Sequence, residues 1–238
     1  MISSRGIVFL AIFAILAYIA LSVPVFALQG ITGKSFTLFD FFGPIAGSFI
    51  GLGGVAAVFI AKLATAIIGG APFGLIDIIK LTPMMFAAYY FWRSAEKGFS
   101  DKLGIIVPAA AMIAFWMHPV GQSWVSIDAL GLSVPAGVYA LYWLIPIAAK
   151  FLPDKLVLRS LGATFTQHAV GSVLFLYTIP SAPALWLGLI PIVAVERGLF
   201  ALGISASHVL FTNVMDAADR LWGIAKYVNV EKRYVLHI

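Results

Sequence analysis

Asp40–Ile68 reads DFFGPIAGSFIGLGGVAAVFIAKLATAII, and the glycines in it decide how the chain is read. Gly43, Gly47 and Gly51 stand four residues apart, so on a single helix they would form one bare ridge. Gly53 and Gly54 follow at once. In lipid no hydrophobic force drives helices together, and close backbone approach over small residues supplies much of the packing. The ridge, behind a helix-starting Pro44, is therefore expected to be a surface against which neighbouring helices press. The apolar run Leu38 to Ile68 would be about 46 Å long as one helix, well beyond the roughly 30 Å hydrocarbon core. It must tilt strongly, protrude, or break near Gly51 to Gly54.

Composition sets the class. The 238 residues are 62% hydrophobic and 11% charged, with a mean hydropathy of +1.03. A soluble globule carries about 25% charged residues, so this chain lacks the polar surface to cover itself. Alternating ten-residue strands of the outer-membrane type are absent. The net charge of +5 comes from basic residues between apolar segments and at the C-terminus. No basic patch interleaves with exposed aromatics, and no nucleic-acid partner is expected. The lack of cysteine excludes disulfides, thiolate metal sites and cysteine nucleophiles. Residues 1–27 resemble a signal peptide ending at Val25-Phe26-Ala27. Their apolar run of about 22 residues exceeds the usual h-region of 7–15, so a retained first helix is expected.

The resulting expectation is an all-α, polytopic membrane bundle of six to seven transmembrane helices over residues 1–204. A C-terminal amphipathic helix and tail over 205–238 would lie on the cytoplasmic side. Ala11, Ala14, Ala17 and Ala20 give the first helix a small-residue face suited to another helix or a partner. The basic loops 93–102 and 150–159 and the basic C-terminus are assigned to the cytoplasm by the positive-inside rule. With seven crossings the N-terminus would then lie outside. From Ser205 onward Phe211, Val214, Met215, Ala218 and Leu221 share a face, as an interfacial helix requires. Asp216 and Arg220, one turn apart, are expected to pair.

Charges at bilayer depth cost at least about 2.5–3.5 kcal/mol, so each needs a partner or a purpose. Lys62 has three readings: it snorkels, pairs with Asp77 or Glu196, or meets a ligand. Asp77 and Lys80 are placed to pair with each other. Glu196 and Arg197 point about 100° apart on a helix. Arg197 is expected to reach the headgroups, leaving Glu196 in want of a separate donor. Thr164-x-Thr166-Gln167-His168 is the most polar stretch inside any span; it either bonds helices together or lines a ligand cavity. There is no H-E-x-x-H, G-x-S-x-G or Walker A sequence, and His118 and His168 lack ligand spacing. No metal, cofactor or enzymatic activity is expected.

An apolar first helix, a short loop, and then Phe36–Gly51 with its G-P-x-x-G-x-x-x-G run resembles the substrate-binding S components of energy-coupling-factor vitamin transporters. The resemblance covers about the first third of the chain. It implies a small helical bundle in a prokaryotic plasma membrane that captures a vitamin-like solute. A transmembrane coupling subunit and separate ATPase subunits would be its partners. In that family the first helix presents small residues four apart to the coupling subunit, whereas Ala11 and Ala14 are three apart. The family also has six helices with both ends cytoplasmic. The expected solute site is lined by Gln167, His168, Glu196 and Trp124, with Asp77 and Lys62 as further candidates. Gln167 and His168 would hydrogen-bond the solute, Trp124 would stack on it, and Glu196 would fix a donor. A non-transporting membrane scaffold acting through the C-terminal helix is the alternative, and an intramembrane enzyme comes third.

Overall fold

The computed structural model describes residues 15–27, 35–70, 74–127, 131–224 and 226–236. They are predominantly helical, as the all-α expectation requires. A helical stretch over 15–21 leads into β1 (Pro24–Ala27), which pairs antiparallel with β2 (Ser35–Thr37). Next, α1 (Phe39–Phe42), a 3-10 turn (Gly43–Ile45) and α2 (Ala46–Ile50) form one irregular segment. There follow α3 (Leu52–Ile68), α4 (Leu75–Ile79), α5 (Pro83–Arg93) and α6 (Lys102–Met117). A short α7 (Pro119–Gln122) and the hairpin of β3 (Trp124–Ile127) and β4 (Leu132–Pro135) cap one end. A 3-10 segment over Ala136–Trp143 continues into α8 (Leu144–Ala149), and α9 (Leu156–Thr178) and α10 (Pro183–Trp222) complete the bundle.

The long apolar run breaks, and it does so at Gly51. That residue has φ 58° and ψ −136°, a conformation that side chains with a Cβ avoid. The chain folds back there, and the bare Gly54 lies directly on the backbone of Ala46 and Gly47. The glycines keep their packing role without forming one continuous helix. Gly43, Gly47 and Gly51 meet Met84, Ala88 and Trp92 in turn, so this segment runs alongside α5 in the same direction. The Gly51 turn thus splits one expected span into α2 and α3. Ala17 and Ala20 are buried in the core; Ala11 and Ala14 lie outside the described residues.

Helix α9 is the centre of the bundle and packs against α5, α6, α8 and α10. Its small residues allow this. Gly162 takes the ring of Tyr90, whose hydroxyl donates to the Pro146 carbonyl at 2.7 Å. Helix α10 runs antiparallel to it, with Arg197 opposite Thr164 and Ser205 opposite Ser160. At 40 residues α10 is about 60 Å long. It is the one helix among the described residues long and apolar enough to cross a membrane, by length and composition. It passes unbroken through residues 204 and 205, so the expected separate amphipathic helix is the second half of α10. Gly203 does not end the helix; its missing Cβ admits the ring of Phe41.

Candidate functional site

Thr164, Gln167 and His168 fall at i, i+3 and i+4 on α9, which brings all three to one face. That face meets the start of α1 and the middle of α10. Gln167 Nε2 donates to Asp40 Oδ1 at 2.8 Å, and Asp40 Oδ2 accepts from the Thr37 backbone N–H at 2.8 Å. Thr37-x-x-Asp40 ahead of an apolar run is a helix-entry pattern. It ties β2 to α1 and α1 to α9.

Arg197 does not reach the headgroup region. Its side chain is 2% exposed and lies inside the bundle. Phe36 of β2 and Phe200 of α10 contact the guanidinium at 4.7 and 4.4 Å, a favourable arrangement for a desolvated cation. Nη1 donates to Thr164 Oγ1 at 3.2 Å. Glu196 is its ion-pair neighbour after all, with Oε2 3.6 Å from Nη2. That separation is too long for a hydrogen bond. No described residue accepts a hydrogen bond from Nε or Nη2.

His168 adjoins this group and is bonded through both nitrogens. Trp143 Nε1 donates to Nδ1 at 3.3 Å, and Tyr139 Oη lies 2.8 Å from Nε2. An indole N–H only donates, so in the neutral ring Nδ1 accepts and the proton sits on Nε2, facing Tyr139. The 3-10 segment makes this possible: three residues per turn stack Ala136 under Tyr139 and Ala140 under Trp143 on the inner side. Thr164, which holds Arg197, lies one turn before His168 on the same face of α9. Asp40, Gln167, Thr164, Arg197, Glu196, His168 and Tyr139 thus make one polar core in an apolar bundle. No family model, curated protein or solved structure matches this chain.

Three of the six expected site residues, Gln167, His168 and Glu196, come together here. Trp124 is exposed on the β3–β4 hairpin at the end of the bundle. Asp77 does not pair with Lys80; it accepts from the Gly74 backbone N–H at 3.1 Å and opens α4. Lys62 is half-buried on α3 and forms no ion pair with Asp77 or Glu196 among the described residues. Sequence reasoning did not place Asp40, Tyr139 or Trp143 at this site, the two aromatics reading only as anchors of their span, and it sent Arg197 to the wrong place.

A second polar cluster lies at the opposite end, where the basic loops fold inward. Arg159 is 4% exposed and grips Glu231 of the C-terminal strap at 2.8 Å, and His208 Nε2 lies 3.1 Å from the same carboxylate. Arg233 pairs with Glu231 and with Asp154, Lys232 and Arg220 with Asp216. The Asp216–Arg220 pair is the one read from sequence. Burial alone would raise the Glu231 carboxyl, but the His208 hydrogen bond and the charges of Arg159 and Arg233 bring it down to about 2. A depressed carboxyl holds the strap fully above its unfolded value of 4.5, and that contribution fades as pH falls toward 2. Amide hydrogen exchange at residues 226–236, corrected for its intrinsic pH dependence, is therefore expected to show protection near pH 5 that is lost progressively below about pH 4. Equal protection across that window would remove Glu231 as the anchor.

Proposed function

We propose that this chain is a polytopic membrane protein that binds a small solute within its bundle and delivers it as one subunit of an energy-coupling-factor type transporter. The observation that carries the reading is the polar core on α9 and α10, buried among helices whose outward faces are apolar. Leu52, Ile60 and Ile67 on α3, Ile106 and Ile113 on α6, and Val195 and Leu202 on α10 are all exposed. A water-soluble protein rarely leaves so much apolar surface open. Placing the basic end in the cytoplasm follows the positive-inside rule. The transmembrane coupling subunit and the ATPases remain proposed partners.

Ligand-dependent thermal stabilisation tests the binding reading, because a binder gains RT ln(1 + [L]/Kd) and a scaffold gains nothing. His168→Ala and Glu196→Ala are expected to abolish solute binding while the protein still folds. Unchanged affinity in both variants would sink this site assignment. The scaffold reading is favoured by one feature, the exposed Leu210, Val214 and Leu221 on the second half of α10. A mild-detergent pull-down separates the two. Recovery of a multi-helix protein with soluble ATPases supports the transporter, and a structural partner without ATPases or solute supports the scaffold.

A further inference from the structure

The unused hydrogen-bonding capacity of Arg197 is specific in shape. In a guanidinium, Nε–H and one Nη2–H point the same way and form a side-on fork that matches the two oxygens of a carboxylate. Those are the two nitrogens with no acceptor among the described residues, while Nη1 is held by Thr164. Rings against the guanidinium still leave its edge to make in-plane hydrogen bonds. Buried donor N–H groups left without an acceptor are costly even where a carboxylate lies nearby, and a ligand that accepts from both relieves that cost. Resting on the solute-binding reading above, we infer that Arg197 is the carboxylate-recognition residue of the mid-bundle site, and that the solute is a monocarboxylate carrying its own N–H donor.

Charge supports that choice over a phosphate. Asp40 and Glu196 already set two carboxylates beside one guanidinium. A phosphate would add up to two further negative charges in a low-dielectric site, where like charges repel strongly. A carboxylate adds one negative charge where a phosphate adds up to two, and a cationic N–H on the same solute cancels it, with Glu196 beside the fork to accept that N–H. Asp40 is already engaged through both its oxygens, by Gln167 and Thr37.

The test uses the full-length protein in mild detergent. It is incubated with a small-molecule extract of host cells, washed, and denatured, and the solute released is identified by mass. That solute and its methyl ester are then compared by equilibrium binding to the wild-type protein, a comparison that requires no variant to fold. Esterification removes a charge-assisted pair and is expected to weaken binding at least about thirtyfold. Arg197→Gln is expected to bind acid and ester equally, while Thr164→Val, which leaves the fork in place, keeps the preference for the acid. A released solute without a carboxylate, or an ester that binds as well as the acid, overturns the assignment of Arg197 and leaves solute binding standing. Release of no solute at all overturns both.

Discussion

Asp101→Ala is expected to destabilise the protein by about 3–5 kcal/mol, the loss that follows when one member of a buried ion pair is removed. Asp101 and Lys150 are each about 1% exposed, and Lys150 Nζ lies 2.6 Å from Asp101 Oδ2. The ammonium also donates to the carbonyls of Arg93 and Glu96 at 3.1 and 3.0 Å, and sits 5.0 Å from the Tyr90 ring centre. Asp101 further caps α6 by accepting from the Gly104 N–H at 3.1 Å. Alanine would strand a buried cation and uncap a helix in one step. The double variant Asp101→Ala/Lys150→Met leaves no charge behind, so it is expected to lose less than the single variant. Unfolding in a mild detergent measures both. A double variant at least as unstable as the single would show that this pair is not what holds the two loops together.

Gly54→Ala is expected to have the next largest effect, a loss of at least about 1–3 kcal/mol from overpacking. A methyl group there would overlap the carbonyl of Ala46 and crowd the Gly47 nitrogen, and backbone atoms cannot step aside as a flexible side chain can. The α2–α3 hairpin would open, and with it the contact of Gly43 and Gly47 on α5. Gly53 supplies the control. It is the preceding residue on the same helix, and a Cβ there meets nothing within 4 Å. Gly53→Ala is expected to be neutral or to stabilise by about 0.5–1 kcal/mol, as alanine does in an unobstructed helix. If the two substitutions shift the melting temperature alike, close backbone approach is not the reason for the glycine at 54.

The candidate site was legible in part. Gln167, His168 and Glu196 stand out because polar residues are rare in apolar helices and therefore need partners. Arg197 was equally visible, but its destination was not. A long cationic side chain near a helix end can reach water or turn inward, and the aromatic rings that settle the matter come from β2 and from a residue one turn along α10. Tyr139 and Trp143 gave no sign of this role, since a 3-10 segment and a helix carry the same apolar composition. Their periods differ by little over eight residues. Trp124 illustrates the opposite error: an aromatic residue in a loop looks like a stacking platform until the hairpin that carries it is seen to lie at the end of the bundle.

The sequence by itself determined the helical class, the glycine packing surface and the Asp216–Arg220 pair. Each depends on residues close in the chain, where period, spacing and backbone freedom act directly. Only the tertiary structure decided that the long apolar run breaks at Gly51 rather than tilting or protruding, that α10 continues through residue 205, and that Lys150 and Arg159 are buried rather than solvated. It also decided that Asp40 meets Gln167 across the bundle. The physical reason is that a buried charge is stabilised by partners distant in sequence. Asp101, Glu231 and Asp40 acquire their roles only once helices far apart in the chain have packed against each other.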